Sequence, residues 1–234
     1  MSSRQEEKQR RREERLARER AERASAARRQ RLTLAGAVLA GAAVVVVAVL
    51  LVVGALGGGG SSDASQPQQN ADVTIPEQKI GNLQAAAKAA GCKLSNPPIE
   101  GRTHENKQFT SADYKTNPPT SGAHFQDWYQ DGVYEPGGTP NLGMLVHTLE
   151  HGRIDVQYKP GTPKHTVAQL EALLAEQNNG YHMLLFQNTT KMDPQIAATA
   201  WGHSLSCPQF NNQVFDAIRT FRDAYIDKGP ESVP

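Results

Sequence analysis

Seven histidines occur in the 234 residues, and three of them, His124, His147 and His151, fall in one stretch, residues 117–160. His147 and His151 bracket an acid in the pentad His147-Thr148-Leu149-Glu150-His151. Histidines four apart on a helix share a face, so their ring nitrogens can converge on one divalent ion. Two ligands do not complete a site. His124, at the end of a Ser-Gly-Ala-His turn, is the best third ligand beside His147 and His151, and His104, ending Glu-Gly-Arg-Thr-His, Glu150 or water takes the fourth position. Imidazoles suit zinc or copper, and Met144, one turn before His147, leans the choice toward a softer ion. H-x-x-E-H is also the inverted zinc-peptidase motif, in which the acid is a general base; Glu150 is then the catalytic residue. Taken singly, each histidine reads more simply as a scaffold residue bonded to backbone in a loop-rich core.

These side chains need elements to hold them. Leu142, Leu145, Val146 and Leu149 recur at helical spacing. Thr139-Pro140 supplies a cap and first turn, and Gly152 a stop, so a helix is expected near residues 140–151. His147 and His151 then lie on the face opposite the leucines. A strand over residues 145–151 would also put both histidines on one side. The rigid Pro118-Pro119 turn presents His124, and Gly122 allows close backbone approach. Residues 93–139 carry two Asn-Pro-Pro runs and read as irregular, with Phe125, Trp128, Tyr129 and Tyr134 as an aromatic lining.

Regular structure is expected on either side. Residues 83–90 are good helix formers ended by Gly91. Residues 153–158, 181–187 and 196–204 read as strands. Residues 166–177 and 213–227 read as helices, the first turning Leu170, Leu173 and Leu174 inward, the second Val214, Ile218, Phe221 and Tyr225. The expected fold is a single α+β domain over residues 73–234, a small mixed sheet packed by helices on one face.

Charge sets the topology. Residues 1–31 carry 12 Arg/Lys and 6 Asp/Glu; the remainder carries 13 and 18. Residues 32–56 hold 25 uncharged residues, long enough to cross ~30 Å of hydrocarbon. Arg28, Arg29 and Arg31 precede them, which places the N-terminus in the cytoplasm and the domain outside. The chain is expected in the cell membrane, single-pass and uncleaved, with residues 1–31 on anionic lipid headgroups rather than on nucleic acid. Residues 57–72, rich in Gly, Ser, Gln and Asn, read as a flexible tether. In an oxidising compartment Cys92 and Cys207, the two cysteines, are expected to form a disulfide. No phosphate loop of standard spacing and no G-x-S-x-G elbow occurs.

The run Tyr114, Asn117-Pro118-Pro119, Ser121-Gly122, His124, then Gly132-Val133-Tyr134, then His147 with Leu149-Glu150-His151-Gly152, resembles a bacterial family, domain of unknown function 3105. Trp201 in Ala-Thr-Ala-Trp-Gly and the closing Gly229-Pro230-Glu231 fit it too. The resemblance spans about residues 80–231. It implies one N-terminal membrane anchor and an outer domain, with no established activity. Three functions remain: a metal-binding outer domain, a metal-dependent hydrolase, and a non-enzymatic module binding an envelope partner through its Pro/aromatic surface.

Overall fold

A computed structural model describes residues 64–68 and 73–231. Residues 1–31, the apolar stretch 32–56 and most of the expected tether lie outside the described residues. Among the described residues no helix is long and apolar enough to cross a membrane.

Among the described residues four α-helices and six strands follow in order: α1 (Leu83–Ala90), β1 (Lys93–Ser95), β2 (Gly132–Val133), α2 (Leu142–Glu150), β3 (Ile154–Tyr158), α3 (Lys164–Ala175), β4 (Met183–Gln187), β5 (Ile196–Ala200), β6 (His203–Cys207) and α4 (Gln213–Tyr225). They build one mixed sheet in the order β1-β6-β5-β3-β4-β2. The pairs β3/β4 and β2/β4 are parallel, the others antiparallel. The fold is α+β.

Two features differ from the sequence reading. Residues 196–204 are not one strand. Trp201-Gly202 turns the chain, Gly202 taking φ +74°, and β5 pairs back on β6 with Ala200 opposite His203. The glycine sits inside an otherwise regular apolar run, and the left-handed backbone it permits splits that run. The helices also do not share one face. Ile154, Val156, Met183 and Leu185 pack with α1, α3 and α4, whereas Leu184 and Phe186 pack with α2 and the irregular segment. Both faces are therefore covered, and every residue of β3 is buried. Each fully buried Ile or Phe side chain contributes about 1.5–3 kcal/mol, so α4, with Ile218 and Phe221 fully buried, anchors the first face.

Residues 64–68, assigned by composition to the tether, lie against the sheet edge. Ser65 and Val133 exchange backbone hydrogen bonds of 2.8 Å. Gly132 makes room: a Cβ there would stand 2.6 Å from the Ser65 carbonyl oxygen. The bridge covers the exposed edge of β2.

Cys92 and Cys207 form the expected disulfide, joining the end of α1 to the end of β6 across 115 residues. Closing so long a loop stabilises by about 4–5 kcal/mol in the chain-entropy account. Cys92→Ser with Cys207→Ser should lower the melting temperature of the full chain without changing its mass by oligomerisation. Two free thiols in protein exported under oxidising conditions would contradict the bridge.

Candidate metal centre

The helix of the pentad forms, but its cap is not Thr139. Asn141 begins it, its Oδ1 accepting from the Gly143 and Met144 amides at 3.0 and 3.3 Å. A side-chain acceptor two residues from the first free amides satisfies them better than Thr139 can from further out. Both faces of α2 are buried. The leucine stripe meets the sheet, and His147, Glu150 and His151 are 3%, 1% and 3% exposed.

His124 reaches the helix through a short parallel pairing. The Gly122 amide donates to the Gly101 carbonyl, His124 to Thr103, and Glu105 to His124. This ladder sets His104 beside His124. The Tyr114 to His124 run is the scaffold behind it. Tyr114 Oη donates to the Ala123 carbonyl at 2.9 Å, and its ring lies under Gly122, where a Cβ would stand 2.9 Å from it. Ser121 Oγ accepts from the Glu100 amide, and Asn117 Nδ2 donates to the Thr190 carbonyl. Ser121 is thus a scaffold residue.

The outcome is a convergence of four side chains. His104, His124, His147 and Glu150 each offer one ligand atom, all within 4.8 Å of one another. His104 Nε2 lies 3.3 Å from His147 Nε2; Glu150 Oε2 lies 2.9 Å from His124 Nε2 and 3.9 Å from His104 Nε2. Tetrahedral zinc with bonds of ~2.0–2.1 Å needs ligand atoms roughly 3.3–3.4 Å apart, and these separations straddle that value.

The tautomers favour lone pairs at the centre. His124 Nδ1 faces the Gly122 carbonyl at 2.8 Å, and His147 Nδ1 faces the Asp127 carbonyl at 3.2 Å. A carbonyl only accepts, so each Nδ1 carries the proton and each neutral ring turns an unprotonated Nε2 inward. His124 Nε2 and both Glu150 oxygens are buried without a hydrogen-bond donor. Burial, then the neighbouring His151 and His124, holds His147 at about 4. Burial lowers His124 and His151 as well. Burial, then the Glu231 charge, pushes Glu150 up to about 7 against an opposing Arg102. A proton or a cation held between Glu150 Oε2 and His124 Nε2, 2.9 Å apart, would satisfy both atoms.

His151 is not in this group. It turns to the other side of His147, where His147, His151 and Glu231 form a second set. Being next to Glu150 on the helix, it points about 100° away from that carboxylate. Met144 is absent from both sets and lines a cavity of about 400 Å³ with Trp128, Tyr129, Tyr134 and Pro140. The preference for a softer ion therefore loses its basis. Tyr129 and Tyr134 are buried, and Trp128 stacks edge-on against His147 and His151. Glu231 is the residue that sequence reasoning missed. Its only signal was the closing Gly-Pro-Glu.

A family model described as "Protein of unknown function (DUF3105)" matches residues 105–233. The match takes in His124, His147, Glu150, His151 and Glu231, and begins one residue after His104. No curated protein and no solved structure matches.

Proposed function

We propose that this chain, which belongs to the DUF3105 family of proteins of unknown function, uses His104, His124, His147 and Glu150 to bind one divalent first-row cation. The observation that carries this reading is the set of unprotonated Nε2 atoms facing an unpaired buried carboxylate. Three imidazoles and a carboxylate suit zinc at four-coordination. With all four positions taken by protein, the site is structural rather than hydrolytic. Glu150, inside the ligand set, is not free to act as a base on a bound water. Zinc added to the chelator-stripped full chain should bind at one ion per chain. A chain that takes up none refutes the proposal.

The domain carrying this site sits outside a cell membrane on a single N-terminal anchor, with residues 1–31 on the cytoplasmic lipid headgroups. The charge asymmetry around residues 32–56 supports this placement, and the Cys92–Cys207 disulfide fits an oxidising compartment. Protease added to cells stripped of their outer barriers should remove the domain and leave a fragment of about sixty residues, given the boundary near residue 57. Full protection under those conditions would reverse the orientation.

A further inference from the structure

Next to the proposed centre lie two donor residues that it does not use, His151 and Glu231. His147, His151 and Glu231 each offer a ligand atom within 4.8 Å of the others. His151 Nδ1 is buried with no hydrogen-bond partner, and its Nε2 stands 3.6 Å from Glu231 Oε2. Glu231 is 44% exposed, so this set opens to solvent through a carboxylate.

Its position is built into the fold. The Glu231 amide donates to the Glu150 carbonyl at 3.1 Å, and the Asp227 amide to the Gly152 carbonyl at 2.9 Å. Between them Gly229 passes so close to the end of α2 that a Cβ would stand 2.1 Å from the Glu150 carbonyl oxygen. Residues 227–231 are thus a strap that lays Glu231 over His151. The Trp128 ring lies 4.6 Å from the His151 ring and covers that histidine. The nearby cation, Arg153, is paired with Asp131 at 2.7 Å.

The two sets share His147. Its Nδ1 is committed to the Asp127 carbonyl, which leaves one nitrogen lone pair, and one lone pair binds one ion at a time. We infer that His151, Glu231 and His147 form an outer position through which a divalent cation enters and leaves the inner centre. The inference rests on the metal-binding reading above. The exposed carboxylate captures the hydrated ion, and His151 displaces water from it. His147 then holds the ion while Glu231 and His151 are exchanged for His124, Glu150 and His104. Only ligands change; no bond within the protein is made or broken. The other opening, at His104, is less suited. The neighbouring carboxylate there, Glu105, is already paired with Lys107 at 3.4 Å.

Cobalt(II), whose visible bands report a tetrahedral nitrogen/oxygen site, is mixed rapidly with the stripped full chain, and its release to a chelator is followed separately. A focusing carboxylate raises on-rates by about 10-fold or more at low salt. Glu231→Gln should therefore slow uptake about tenfold, and slow release equally, so that the dissociation constant moves less than about threefold. His151→Ala should slow both in the same way. Glu231→Asp, which keeps the charge, should recover much of the rate and shows that the strap still folds. Unchanged rates in Glu231→Gln overturn the inference. So does a weakened affinity with unchanged uptake, which would make Glu231 a ligand of the resting ion. Failure of the wild-type chain to take up cobalt would instead bring down the inner centre, and the path with it.

Discussion

His124→Ala is expected to weaken zinc binding by more than about 100-fold, beyond the 10–100-fold typical of residues that only orient a ligand. His124 is fully buried, its Nδ1 proton is fixed on the Gly122 carbonyl, and its Nε2 lies 2.9 Å from Glu150 Oε2. Its removal takes one of four donors and leaves the carboxylate beside an apolar gap. His147→Ala should do the same, since that ring offers the shared nitrogen. His151→Ala should change equilibrium affinity by less than about tenfold, because its ring belongs to the outer set; the bound differs from the two ligand variants by the cost of a whole donor. Isothermal titration on the three variants gives the ranking. Equal losses for His124→Ala and His151→Ala would mean that the pentad binds as a zincin-like pair and the inner set is wrongly drawn.

The second large effect is on pH. Burial raises Glu150 from its usual value of 4.5 to about 7. In the metal-free protein the folded state therefore holds a proton that the unfolded state has lost over that window. The group's contribution to stability is complete below 4.5 and is lost as pH rises through 7. At ~1.4 kcal/mol per unit this amounts to roughly 3 kcal/mol above pH 7. Metal-free Glu150→Gln, neutral at every pH, should melt higher than the wild type at pH 8 and nearly level with it at pH 5. Zinc reverses the order, since a cation needs the charged carboxylate. The same proton competes with zinc, so wild-type affinity should fall about tenfold per pH unit below pH 7. In Glu150→Gln that dependence should be shallower by one proton. A metal-free Glu150→Gln whose advantage over the wild type is no larger at pH 8 than at pH 5 would show that Glu150 is not ionised against its surroundings.

How much of this was legible in the sequence depends on whether the determinant was local. The α2 leucine stripe and the buried face of α4 are periodic signals within one element, and both helices form near the expected bounds. The β5–β6 hairpin turns on one residue, Gly202, that no periodicity marks. The burial of both sheet faces follows from the 93–139 segment folding over the sheet, which composition alone does not disclose. At the site, histidines four apart on α2 pointed to the right helix face. His104 and Glu150 both stand as fourth-ligand candidates in the sequence; that both join while His151 turns away is not legible there, because His104 enters through a pairing with residues 122–124 and Glu150 lies a rotation of about 100° along the helix from His151. Glu231 is placed by backbone bonds between the last described residues and the end of α2, eighty residues apart in the chain.

The central claim is that three imidazoles and one carboxylate surround a single ion. X-ray absorption at the zinc edge, on the full chain loaded with one equivalent, reads the ligand shell directly. The account predicts three nitrogen scatterers with imidazole outer-shell features and one oxygen, at ~2.0–2.1 Å. Glu150→Gln should replace or lengthen the oxygen while leaving the three imidazoles. A shell of mostly water oxygens, or one with only two imidazoles in the wild type, would contradict it.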